Sequence, residues 1–285
     1  MTDPSEEVPR RPTMQYLAAP AVLEEMARFG RGRVGELTSG RALVLAVLGG
    51  GFITVGALFS LLVGSGVDAE GPKRLLEGFG FSAGFFFVVL SEAVLFTEAN
   101  VVLPTTLLED RHQWLRVVRF WAIAWVGNLA GVWLAAQLIA TAQMYSPETL
   151  AALGEVIERK LAYRELGGAG AWWQLVLSGV LANWLVGMAA FFAFMGRTII
   201  GKYIPVFLAV TAFVAAGFQH SPANMGYFAL HLAHGGGPGW PTALGWNIVP
   251  AGIGNVIGAA VLVAVPFWFV HHPHREAARR GPTDR

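Results

Sequence analysis

The chain has 285 residues, of which 54% are hydrophobic and only 14% charged, against roughly a quarter charged in soluble domains. Its formal net charge of +1 excludes no class of partner, and the basic residues are dispersed rather than patched, so no nucleic acid is expected. It has no cysteine, which excludes disulfides, thiolate metal sites and a cysteine nucleophile.

In chain order, residues 1–40 read as a polar N-terminal segment. They lack an apolar core of signal-peptide length, so no cleavable leader is expected, and the Pro- and charge-rich residues 1–20 read as mobile. Residues 21–37, AVLEEMARFGRGRVGEL, carry apolar residues at helical spacing. They predict a short amphipathic helix at the cytoplasmic membrane face, serving as an interfacial anchor or, alternatively, as a plug linked to a gate.

Residues 41–270 read as a six-span domain. A spanning helix needs about 20 predominantly apolar residues, and the stretches 42–63, 78–108, 120–140, 166–196, 203–234 and 243–270 qualify. Only 78–108 carries acidic residues, Glu92 and Glu98, and 203–234 carries His220, His231 and His234. With the N-terminus inside, the cytoplasmic segments hold 15 Lys and Arg and the outer ones 5, so both termini are expected in the cytoplasm. Residues 271–285 form a polar tail.

The spans contain an internal repeat. GNLAG (127–131) in span three returns as GNVIG (254–258) in span six, and each half has a polar interruption in its middle span, SEAVLFTEAN (91–100) and FQHSPAN (218–224). Three spans per half force the halves into opposite orientations. That is the inverted-repeat arrangement of transporters, with broken helices meeting near the midplane. The repeated glycines suit close helix packing, and GGGPG (235–239) reads as a turn.

Non-helical backbone at membrane depth survives only where protein or a watery cavity covers it. Ser221 reads as an N-cap with Pro222 at the first helical position, and Thr97 as the matching N-cap with Glu98 in the first turn. Both half-helices then aim positive dipole ends at the centre, which favours an anion or a strongly polar solute. His220 sits at one break, with Asn183 and Asn224 as companions. The plain alternative is a histidine that only satisfies broken backbone. Phenylalanines near the breaks are candidates for an apolar constriction.

Five stretches, LFT (95–97), GNLAG (127–131), ANWLVGMA (182–189), FQHSPANM (218–225) and NIVPAGIGNVIGA (247–259), resemble the formate/nitrite transporter family in order and spacing over about residues 40–270. The resemblance implies an aquaporin-like, all-α fold of six spans and a homopentamer with one pore per protomer. It further implies transport of small monovalent anions such as formate, nitrite or hydrosulfide, as a channel or with a proton. By the same resemblance His220 is the central histidine, Asn183 and Asn224 are the asparagines near it, and Thr97 is the threonine of the broken loop. Phe81, Phe85, Leu95, Phe96, Val186 and Phe213 fall at or beside constriction positions. Departures from the family pattern are Gln219, where a glutamate is usual, and Val94, where an acidic residue is common before Leu-Phe-Thr. Ungapped counting back from Asn183 sets the family's vestibule lysine at Gly167, leaving Arg159, Lys160 and Arg164 as vestibule charges.

The expectation is a non-enzymatic transporter of a weak-acid anion or its neutral acid, set in a lipid bilayer, in a bacterial cytoplasmic membrane, and proton-linked through His220. It has no metal and no cofactor. The alternatives are a pore for neutral solutes and a non-transporting sensor with the same fold. A haem-binding redox subunit lacks a second central histidine.

Overall fold

The computed structural model describes residues 16–271, so residues 1–15 and the tail beyond His271 lie outside the described residues. It is helical nearly throughout: α1 (Ala19–Gly35), α2 (Ser39–Gly64), α3 (Glu70–Ser91), α4 (Phe96–Glu109), α5 (Trp114–Ala142), α6 (Pro147–Leu166), α7 (Gly168–Met195), α8 (Ile199–Ala215), α9 (Ser221–Ala233) and α10 (Trp240–His271).

Helices α2, α3, α5, α7 and α10 are each long and apolar enough to cross a membrane. The remaining span is divided between α8 and α9, and α4 completes the span that α3 begins. The six spans form two inverted halves, α2 to α5 and α7 to α10, in an aquaporin-like arrangement. Helix α3 starts at Glu70, eight residues before the predicted span, because its first two turns are polar and lie beyond the apolar stretch.

Each half is held by the same close approach. A Cβ on Gly131 of α5 would collide with the Val47 carbonyl of α2, and one on Gly258 of α10 with the Val180 carbonyl of α7. The repeated glycines therefore let backbones touch, as small residues do in membranes.

The core has two parts. One gathers Phe81, Phe85, Leu95, Val186 and Phe213 together with Leu153, Val156, Ile157 and Leu161 of α6. The other gathers Phe96, Val102 and Phe191 with Val22, Leu23, Met26 and Val34 of α1. So α6 closes one end of the bundle and α1 the other. This corrects the interfacial-anchor reading of α1. Val22 and Met26 are 0% exposed and Leu23 1%, and they are buried against protein rather than offered to lipid. Each such side chain contributes roughly 1.5–3 kcal/mol to that docking.

Candidate functional site

The two breaks are stapled alike. Asn128 on α5 donates through Nδ2 to the carbonyls of Ala46 (2.8 Å) and Val94 (2.9 Å), and its Oδ1 accepts from the Phe96 N–H at 2.9 Å. Asn255 on α10 donates to the carbonyls of Gly179 (2.8 Å) and Gln219 (3.0 Å), and accepts from the Ser221 N–H at 2.8 Å. Each asparagine thus serves the first amide of a half-helix and the carbonyl two residues before it, groups that a broken helix leaves orphaned.

This overturns the capping expectation. The N-caps are Leu95 and His220, not Thr97 and Ser221; Thr97 lies inside α4, and Ser221 and Pro222 occupy the first two positions of α9. Helix α9 begins one residue earlier than expected and α4 two, so His220 rather than Ser221 takes the Ala223 N–H, and the Ser221 hydroxyl, fully buried, has no partner among the described residues. Glu98 does lie in the first turn of α4.

His220 caps α9 itself. Its Nδ1 accepts from the Ala223 N–H at 3.2 Å, which places the ring proton on Nε2, and Nε2 then donates to Thr97 Oγ1 at 2.8 Å. The ring is 1% exposed and lies against Phe213, centroids 5.1 Å apart. Asn183 braces the halves, donating to the carbonyls of Asn255 (2.8 Å) and Thr97 (3.3 Å), while its buried Oδ1 has no partner among the described residues.

Asn224 and Gln219 belong to a second cluster, on the α6 side. Gln219 Oε1 accepts from Asn224 Nδ2 (3.0 Å) and Asn247 Nδ2 (3.1 Å), and its own Nε2 donates to the Gly217 carbonyl at 3.2 Å. Asn224 also donates to Asn247 Oδ1, and its Oδ1 accepts from Lys160 Nζ, both at 2.5 Å. Asn247 sits in a π-helical turn, Leu244–Ile248, and donates to the Lys160 carbonyl at 2.8 Å. Such turns gather at functional sites.

Lys160 therefore lies among these amides, whereas Gly167 only ends α6. The helical turns of α6 bring Lys160 back over the bundle, which a linear count misses. Its ammonium also lies 5.0 Å from the centre of the Tyr227 ring. Burial, with Arg159 alongside, pushes its pKa down to about 7 against the opposing pull of Glu77. Arg159 pairs with Glu77 at 3.3 Å, whereas Arg164 is exposed and away from the cavity.

A cavity of about 340 Å³ opens here, lined by Phe81, Phe213 and Gln219, with Arg74, Arg159 and Lys160 against a single carboxylate, Glu77. A second cavity of about 540 Å³ lies on the α1 side. Phe85, Leu95 and Val186 line neither and are at most 1% exposed. They belong to the first core cluster, with Phe81 and Phe213 in edge contact (5.8 Å) beside the α6-side cavity. Phe96 is not part of that cluster, since its ring joins the core against α1.

Sequence reasoning missed the roles of Asn128, Asn255 and Asn247. The first two were visible as the asparagines of the repeated Gly-Asn motif, and Asn247 opens the last stretch quoted above.

Two inverted halves, two stapled breaks facing each other and a cavity on either side define a membrane-spanning pore. The formate/nitrite transporter family model matches residues 20–269, and the chain belongs to that family. It is similar to a probable formate transporter of Methanothermobacter thermautotrophicus, 31% identical over 245 residues, covering 81% of this chain and 89% of the relative. It is also similar to the formate channel FocA of Escherichia coli K12, 28% identical over 251 residues, covering 81% and 86%. Among solved structures, a pentameric formate channel with formate bound superposes with a TM-score of 0.68 at 23% identity, covering 82% of this chain and 98% of that one. An FNT family ion channel gives 0.74 at 21%, covering 88% and 98%.

Proposed function

We propose that the chain forms a channel for a small monovalent weak-acid anion of the formate type, which crosses the pore centre with a proton as the neutral acid. The observation that carries this is His220, a buried, neutral ring that orients the Thr97 hydroxyl between two cavities. With Nε2–H donating to Thr97 Oγ1, the hydroxyl proton is free to point at a carboxylate oxygen. The Asn183 Oδ1, which has no partner among the described residues and sits on the side chain that bonds the Thr97 carbonyl, offers an acceptor for an acid O–H. The three cations of the α6-side cavity gather anions, and the buried apolar residues make a bare charge costly to pass. Since Nδ1 is held by a backbone N–H, His220 binds and orients but cannot carry a net proton without breaking its own cap.

The α6 face is assigned to the outside and the α1 face to the cytoplasm, on the Lys and Arg bias of 15 to 5. The assembly assigned is a homopentamer, supported by the likeness to the pentameric channel; native mass spectrometry tests it. The function is tested by formate uptake into proteoliposomes with and without an inward proton gradient. Gradient-stimulated uptake that His220→Ala abolishes is the expected result, and uptake unchanged by that substitution from pH 5 to 8 overturns it. The uncharged amide cluster of Gln219, Asn224 and Asn247 favours a second reading, a pore for small neutral solutes, which osmotic swelling of the same vesicles detects.

A further inference from the structure

The proton has to come from somewhere, and the geometry removes His220 as its source. On the α1 side Glu98 is the carboxylate next to the centre, as Lys160 is the titratable group on the α6 side. Glu98 is the residue after Thr97, in the first turn of α4, and it lines the 540 Å³ cavity. Thr97 Oγ1 in turn meets His220, so the carboxylate stands one residue from the centre while its cavity reaches the α1 end of the bundle.

The other charged groups of this cavity are placed differently. Glu24, Glu25 and Arg33 belong to α1, Glu92 to the break, and Arg197 and Lys202 to the end of α7 and the start of α8. Glu25 is paired with Arg28, and Arg33 donates to the Glu92 carbonyl at 2.6 Å while lying over the Phe29 ring. Glu92, Glu24 and Arg197 are exposed, whereas Glu98 is half-buried and receives no hydrogen bond or ion pair from a described residue. A fixed carboxylate on the path of an anion repels it as long as it stays ionised. In an anion pore, that placement makes sense for a group that exchanges its proton with the passing acid.

We propose that Glu98 is the proton-exchange residue at the α1 end of the pore. Outward, its carboxyl O–H breaks and an O–H forms on the formate-type anion, which leaves as the neutral acid; Glu98 is left as carboxylate and is reprotonated by water from the cavity. Inward, the steps reverse, and the acid gives its proton to the Glu98 carboxylate before the anion is released. One proton and one anion cross together, with no redox change. Arg33, Arg197 and Lys202 receive the released anion, and Glu24, Glu25 and Glu92 hasten its departure. The inference rests on the transport reading above.

The test uses the full-length protein in liposomes, following formate flux and lumenal pH together with an entrapped dye. Wild type is expected to move about one proton per formate. Glu98→Gln, which keeps the shape and loses the exchangeable proton, is expected to lose at least tenfold of the coupled flux at pH 7.5 and to flatten its pH profile. Glu98→Asp is expected to retain most of the flux with a displaced pH midpoint. A merely structural carboxylate predicts the opposite: Glu98→Gln active with the wild-type profile and stoichiometry, or Glu98→Asp active with an unmoved midpoint, either of which overturns the proposal. Should Glu98→Gln fail to assemble, the Asp midpoint decides. Wild-type vesicles that move no formate overturn the transport reading itself, an outcome distinct from coupled wild-type flux that ignores Glu98.

Discussion

The break between α3 and α4 and the break between α8 and α9 share a frame and differ in furniture. In both, one asparagine from a neighbouring helix takes the first amide of the second half-helix and the carbonyl two residues before it. At the positions so framed, the first break presents Val94 and Leu95 and the second presents Gln219 and His220. Both apolar residues of the first are 0% exposed. The second supplies the polar chemistry, and the two meet where His220 bonds to Thr97. Duplication fixed the backbone problem once for both halves, because orphaned amides must be satisfied wherever a helix is broken in lipid. It left the side chains facing the path free to diverge.

Removing the frame gives the largest effect. Asn128→Leu and Asn255→Leu each leave a half-helix amide and a break carbonyl without that partner, at about 1–3 kcal/mol per group. Both are expected to lose assembled protein on size-exclusion chromatography and to lower the melting temperature in detergent by similar amounts. A large effect at one site and none at the other would break the equivalence of the two staples.

Changing the furniture comes next. His220→Phe is expected to leave the melting temperature within a few degrees of wild type and to cut formate uptake at least tenfold, since it removes the donor to Thr97 and fills the centre with an apolar ring. The equivalent change at the first break, Leu95→Phe, is expected to slow uptake by crowding the core without altering its pH dependence. Parallel flux measurements across pH separate the two.

The Lys160 ammonium should tune rather than enable. Because its pKa is lowered to about 7, it is charged below that pH and neutral above it. Its anion attraction is therefore present in acid and lost as pH rises through 7. Lys160→Met is expected to reduce uptake from dilute formate severalfold at pH 6 and to change it little at pH 8.5. An equal loss at both pH values would place Lys160 in a structural role. The smallest effect is expected for Thr97→Ser, which keeps the hydroxyl and removes only a methyl; Thr97→Val in the same assay should lose the donor and most of the uptake.

How much was legible depends on how local the signal is. The apolar stretches, the interruptions at residues 91–100 and 218–224 and the doubled Gly-Asn motif are read from a few neighbouring residues, and the spans and halves followed from them. The capping reading failed because local rules choose Ser and Thr, while the first amides of the two half-helices are taken by Asn128 and Asn255 from sequence separations of 32 and 34. The amide cluster was half seen: Asn224 and Gln219 were named, but Asn247 is joined to them only by a π turn that no periodicity announces. Lys160 was among three vestibule candidates, and only the docking of α6 over Tyr227 distinguished it from Arg159 and Arg164.

By itself the sequence determined that this chain lies in a membrane as six spans in two inverted halves, broken at two places, because hydrocarbon demands apolar stretches of one length and backbone breaks demand polar or turn-forming residues. Only the tertiary structure decided which asparagines hold those breaks, which nitrogen of His220 carries the proton and which of three cations bonds the amide cluster. Each of those outcomes is a hydrogen bond or ring contact between helices far apart in the chain, and packing alone sets which groups come within about 3 Å of one another.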